Sequence, residues 1–183
     1  GLVQPGGYPK YLRRLDVLVV DDALHMRALV RQVLTSLGVG SIREASDGMG
    51  AFAELKERPA DIVITDWVME PLNGIEFVRL LRTAADSPDP EVPVIMLTGH
   101  TERSRIVAAR ESGVDEFLAK PFSTMALYQR IHEILTNPRP IVRKPGYVGP
   151  EWRESSRPVS ETFRRRRARP SASAPPDEGK DDT

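Results

Sequence analysis

Between residues 15 and 136, short apolar runs alternate with stretches whose apolar residues recur at helical spacing, and this alternation constrains the fold more than any other feature. Residues 15–20 (LDVLVV) form a Val-rich run that ends at Asp21 and Asp22. Met26, Leu29, Val30, Val33, Leu34 and Leu37 then fall at i, i+3, i+4, i+7, i+8 and i+11. That spacing predicts one apolar helix face opposite Arg27, Arg31 and Gln32. Gly38 is the expected stop, because glycine accepts the left-handed conformation that closes helices. Residues 41–45 read as a weak strand, and Asp47 as the N-cap of a helix burying Ala51, Phe52 and Leu55 before Pro59. Residues 61–65 (DIVIT) predict a strand running up to Asp66, and residues 74–84 a helix with Ile75, Val78 and Leu81 inward. Residues 92–97 (VPVIML) predict a strand ahead of Thr98, followed by a helix from about residue 101 to Gly113. A last strand over residues 115–119 leads to Lys120-Pro121-Phe122, and Ser123 caps a final helix burying Leu127, Ile131, Ile134 and Leu135.

Five β–α alternations with central strands apolar on both faces predict a parallel sheet covered by helices on both sides. Right-handed crossovers and this element count point to an α/β, doubly wound, flavodoxin-like domain with strand order 2-1-3-4-5. The expected organisation is a short N-terminal extension over residues 1–12, the domain over residues 13–136, and a tail over residues 137–183. The tail is rich in Pro, Arg and Ser and reads as disordered. Charge follows the same division. Residues 1–137 carry 15 Lys/Arg against 19 Asp/Glu, residues 138–170 carry 10 against 3, and residues 171–183 carry 1 against 4. The zero net charge thus hides an acidic front, a basic arm and an acidic end.

No cysteine is present, which excludes disulfides, thiolate metal sites and cysteine nucleophiles. No apolar run approaches a membrane span, and Pro5, Gly6 and Gly7 interrupt the place where a signal peptide would need continuity. A cytoplasmic protein without membrane contact is the expectation.

Ligands of such sheets bind outside the carboxyl ends of the strands, where strand order reverses. The polar residues at those ends are Asp21 and Asp22 after the first strand, Asp66 after the third, Thr98 after the fourth and Lys120 after the fifth. Clustered carboxylates repel one another unless a cation is present, and Mg²⁺ takes one or two carboxylates together with waters and a phosphate oxygen. A threonine hydroxyl and a lysine ammonium both suit phosphoryl oxygens. The set therefore reads as a metal-assisted phosphoryl site with a carboxylate nucleophile.

Asp21-Asp22, Asp66, Thr98 and Lys120-Pro121, with D-W-V-M-E-P-L-N-G over residues 66–74, L-T-G-H over 97–100 and F-L-A-K-P-F over 117–122, resemble the receiver domain of response regulators. The resemblance implies that Asp66 is the phosphoacceptor, charged by a histidine kinase or phosphotransfer protein. It implies Mg²⁺ bound directly by Asp22, through water by Asp21, and by Asp66 and the backbone carbonyl of Val68. Lys120 would pair with the phosphoryl group, and Thr98 would swing towards it. Phe117 would then move inward, so that the face of the fourth helix, fifth strand and fifth helix reports the change to a downstream protein. Lys120-Pro121 would be cis. Val68 and His100 stand where family members tune phosphate lifetime. Phe117 lacks the hydroxyl that a tyrosine would bring to the switched state. Such a protein acts on no separate substrate and catalyses only its own phosphoryl transfer and loss.

Three other functions compete. An aspartyl-nucleophile phosphatase of the haloacid-dehalogenase type needs a second aspartate two residues after the first, where this chain has Val68. A phosphate sink would share the receiver chemistry without an output. Arg164–Arg167 with Arg169 suggest contact with nucleic-acid phosphates, but no recognition helix or interleaved aromatic platform accompanies them. His25, His100 and His132 lack metal-site spacing.

Overall fold

A computed structural model describes residues 7–99 and 111–151. Five strands form one parallel sheet: β1 (Asp16–Val20), β2 (Ser41–Ala45), β3 (Ile62–Asp66), β4 (Val94–Thr98) and β5 (Glu116–Ala119). Their order is β2-β1-β3-β4-β5, as the alternation predicts. The described helices are α1 (Leu24–Leu37), α2 (Gly48–Glu57), α3 (Gly74–Thr83) and α4 (Thr124–Thr136). The helix expected from about residue 101 falls on residues 100–110, outside the described residues, as do His100 and the arginines of residues 164–169.

Alternate strand residues feed two cores, one on each face of the sheet. Val17, Val19, Ile62, Ile64, Ile95, Leu97 and Leu118 pack under α1 and α4. Leu18, Val20, Val63, Val94 and Met96 pack under α2 and α3. Burial on both faces explains why the central strands read as continuous apolar runs. Local end signals hold as expected. Gly38 closes α1 at φ +87°, Asp47 accepts the Gly50 N–H at 2.7 Å, and Ser123 accepts the Ala126 N–H at 3.1 Å. Asn73 and Glu76 make a reciprocal capping box at the start of α3.

Three expectations need correction. Leu29 is 47% exposed, because only Val30, Leu34 and Leu37 of α1 are fully buried and the apolar arc is narrower than the spacing suggests. The N-terminal extension joins the domain: residues Lys10–Arg14 form a 3₁₀ turn that buries Leu12 in the α1/α4 core. Tyr8 packs on Tyr128 in a tilted contact with ring centroids 5.2 Å apart, and the Tyr11 hydroxyl lies 3.2 Å from His132 Nδ1.

The third correction concerns the tail, whose first residues are ordered. Strands β6 (Ile141–Lys144) and β7 (Tyr147–Pro150) form an antiparallel hairpin. Its turn is Pro145-Gly146, with Gly146 at φ +77°, where glycine bears no side-chain penalty. The hairpin seats against the chain just before β5. Both Gly149 and Pro150 are buried, and the Arg139 guanidinium donates to the Asp115 carbonyl at 2.7 Å. Beneath it lies Arg82 of α3, also fully buried. Its guanidinium donates to the carbonyls of Gly113, Pro90 and Val92 and pairs with Asp115 Oδ2 at 2.9 Å. Residues 152–183 lie outside the described residues.

Candidate functional site

Parallel pairing sets the strand ends side by side, and the reversal of strand order falls between β1 and β3. Asp21 and Asp22 follow β1, Asp66 is the last residue of β3, Thr98 the last of β4, and Lys120 follows β5. Thr98 pairs in register with Ala119, and its carbonyl accepts the Lys120 N–H at 2.7 Å. Lys120 is thereby carried to the edge beside Asp66.

Asp66 is mostly buried, and its Oδ1 accepts two bonds: from Lys120 Nζ at 3.0 Å and from the Trp67 N–H at 2.8 Å. Among the described residues, Asp66 Oδ2 accepts none. The loop beyond Asp66 turns back sharply. Gly74 donates its N–H to the Trp67 carbonyl at 2.7 Å, and a Cβ on Gly74 would collide with the Asp66 carbonyl oxygen. Glycine at residue 74 is thus a condition for the position of Asp66. Both Glu70-Pro71 and Lys120-Pro121 are cis.

Asp21 is 1% exposed. Its Oδ1 accepts the Ala23 N–H at 2.9 Å, while its Oδ2 is buried without a hydrogen-bond partner among the described residues. Burial raises the Asp21 carboxyl to about 6, with the nearby Asp66 and Asp22 charges adding to the rise; the Ala23 N–H and Lys120 oppose it. Asp22 Oδ2 accepts the Glu70 N–H at 3.2 Å. Val68 is 66% exposed. Thr98 is buried, and Phe117 is half-buried against the α2/α3 core.

The structure brings Asp21, Asp66 and Lys120 into electrostatic contact and holds Asp22 and Thr98 at the same edge. Among the described residues, no three His, Cys, Asp or Glu side chains converge as a complete cation cage. Asp22 is engaged by Glu70 and Asp66 by Lys120. The donor set nonetheless fits Mg²⁺, which needs only one or two carboxylates. A buried carboxylate oxygen without a partner, among repelling carboxylates, is what such an ion would satisfy.

The sequence model of the response regulator receiver domain family matches residues 17–132. The chain belongs to that family. The receiver domain is 34% identical over 122 residues to chemotaxis protein CheY-3 of Vibrio cholerae, covering 67% of this chain and 92% of the relative. Identity to chemotaxis protein CheY of Pseudomonas aeruginosa is 34% over 120 residues, covering 66% of this chain and 95% of the relative. A solved structure of Vibrio cholerae CheY4 superposes with a TM-score of 0.60 at 30% identity, covering 66% of this chain and 98% of that one. Receiver domains are modules of two-component phosphorelay signalling, and that is the class of function to which this chain belongs. The β6–β7 hairpin lies beyond the family match. Among the described residues no helix is long and apolar enough to cross a membrane.

Sequence reasoning did not find Gly74, Arg82 or Arg27, whose guanidinium bonds the Asp21 carbonyl. Gly74 closes the quoted D-W-V-M-E-P-L-N-G stretch, which was a signal for it. The two arginines act through contacts with residues distant in the sequence or with backbone atoms, which spacing does not encode.

Proposed function

We propose that this receiver accepts a phosphoryl group on Asp66 from a phosphohistidine of a partner histidine kinase or phosphotransfer protein, and signals by protein–protein contact. The observation that carries this reading is the asymmetry of the Asp66 carboxylate. Lys120 and the Trp67 N–H hold Oδ1, and Oδ2 remains for attack. In the transfer, Asp66 Oδ2 forms a bond to phosphorus as the P–N bond to the imidazole breaks. The imidazole nitrogen takes the electron pair and leaves, and an acyl phosphate remains on Asp66. Lys120 compensates negative charge on the transferred group.

Asp21, Asp22, Asp66 and the Val68 carbonyl would hold Mg²⁺, which when bound supplies positive charge against the clustered carboxylates and the phosphoryl oxygens. Thr98, on the neighbouring strand, would donate its hydroxyl to a phosphoryl oxygen. Its movement would free space for Phe117, and the surface around β5 and α4 would report the change downstream. Val68 carries no polar group to orient an attacking water; the imidazole of His100, two residues after Thr98, would be the candidate for that role. A haloacid-dehalogenase-type phosphatase is disfavoured by the same residue.

The reading is tested by intact-protein mass after incubation with acetyl phosphate, with and without Mg²⁺, for the wild type and Asp66→Asn. A single Mg²⁺-dependent phosphoryl adduct, absent in the variant, is expected. No adduct on the wild type, and no stable beryllofluoride complex either, would remove the Asp66 mechanism.

A further inference from the structure

We propose that Arg27 is a positioning residue for cation binding by the acidic pair, acting through the backbone of Asp21; this rests on the Mg²⁺ site of the preceding section. Arg27 is the fourth residue of α1, at the end of its first turn, and reaches back over the start of its own helix. Its Nη1 donates to the Asp21 carbonyl at 2.6 Å, a charge-assisted bond at a side chain only 15% exposed. On its other side, Nε lies 3.5 Å from Glu44 Oε1 of β2, and Glu44 is fixed in turn by Arg31 at 3.0 Å.

The consequence is seen atom by atom at Asp21. Its N–H donates to the Ala45 carbonyl of β2 at 3.1 Å, its carbonyl accepts from Arg27, and its Oδ1 accepts from Ala23. Three of its four polar atoms are therefore fixed by the fold, and the fourth, Oδ2, is buried with no hydrogen-bond partner among the described residues. The bond that Arg27 makes to Asp21 is to the backbone carbonyl and not to the carboxylate. The guanidinium charge is met by Glu44. Arg27 thus orients the Asp21-Asp22 turn while leaving a carboxylate oxygen open for a cation. Groups behind metal ligands set ligand orientation in this way, and their loss weakens the metal.

The sign of the effect separates positioning from simple electrostatics. Removing a nearby positive charge should by Coulomb's law tighten Mg²⁺ binding, whereas losing the orientation should weaken it. The experiment uses the full chain with Trp152→Phe, which leaves Trp67 as the one remaining tryptophan, and titrates Mg²⁺ alone while following fluorescence. The Mg²⁺ midpoint of Arg27→Ala is expected to rise roughly tenfold. Arg27→Lys keeps the charge but not the two-sided fork, so its midpoint is expected to rise by a smaller factor. Circular dichroism without Mg²⁺ checks that each variant is folded, and Arg27→Lys carries the test if Arg27→Ala is not. A midpoint unchanged or lowered in the folded variants, with at most a lower thermal midpoint, would reduce Arg27 to a structural residue and overturn the inference alone. A wild type that is silent to Mg²⁺ by this signal and by calorimetry would overturn the Mg²⁺ site itself, and this inference with it.

Discussion

Gly149 of β7 packs so closely on Gly113 that a Cβ added to Gly149 would lie 2.6 Å from the Gly113 Cα. The reverse is equally tight, since a Cβ on Gly113 would lie 2.6 Å from the Val148 carbonyl oxygen. Two glycines thus let the hairpin dock on the chain just before β5. Gly149→Ala is expected to destabilise the protein by about 1–3 kcal/mol through overpacking. Urea denaturation measures it, and an unchanged midpoint would show that the hairpin does not belong to the cooperative unit.

Arg82 and Asp115 form the buried polar support under that contact, with three backbone carbonyls also bound by the guanidinium. Arg82→Met strips a partner from Asp115 and leaves those carbonyls short of a donor. The expected loss is about 3–5 kcal/mol, typical of breaking a buried pair from one side. Loss below about 1 kcal/mol in chemical denaturation would show that water replaces these bonds readily.

Asp21 sets a pH dependence whose sign is opposite to that of a salt-bridged acid. Its folded carboxyl titrates at about 6, above its ordinary 3.8. The native state therefore binds more protons between these values, and stability declines as pH rises from 3.8 to about 6, then levels. In Mg²⁺-free buffer, Asp21→Asn is expected to remove this decline and to be more stable than the wild type above pH 6. Thermal midpoints of both proteins across that range provide the check; parallel curves would contradict it.

Gly74 stands against the Asp66 carbonyl, so Gly74→Ala must displace either the turn or the end of β3. Loss of about 1–3 kcal/mol is expected, together with slower phosphorylation by acetyl phosphate. Destabilisation with unaltered phosphorylation would mean that the turn gives way and Asp66 does not.

Those features were legible in the sequence which rest on local chemistry. Gly38, Asp47 and Ser123 mark helix ends because a cap involves only a few consecutive residues. The runs around Val17, Ile64 and Ile95 mark central strands because burial on two faces leaves no polar alternation. Asp21, Asp66, Thr98 and Lys120 could be brought together from topology alone, since each stands at a carboxyl end of the sheet. Arg82 follows Leu81 on the inward stripe of α3, but its burial depends on carbonyls of residues 90, 92 and 113, which no helical period reveals. For the hairpin, a local signal was present. Pro145-Gly146 between I-V-R-K and Y-V-G-P is a two-residue turn between strand-forming residues, and the basic, Pro-rich composition of the tail outweighed it. The contact of Gly149 with Gly113 was beyond reach, because nothing local pairs residues so far apart.

The most direct test of the account is to locate the phosphoryl group. Reduction with borohydride converts an aspartyl phosphate to homoserine, which peptide mass analysis assigns to a residue. After acetyl phosphate and Mg²⁺, homoserine is predicted at residue 66, with none at residues 21 or 22. Homoserine at Asp21 or Asp22, or an adduct on a histidine that reduction leaves unchanged, would contradict the assignment of Asp66.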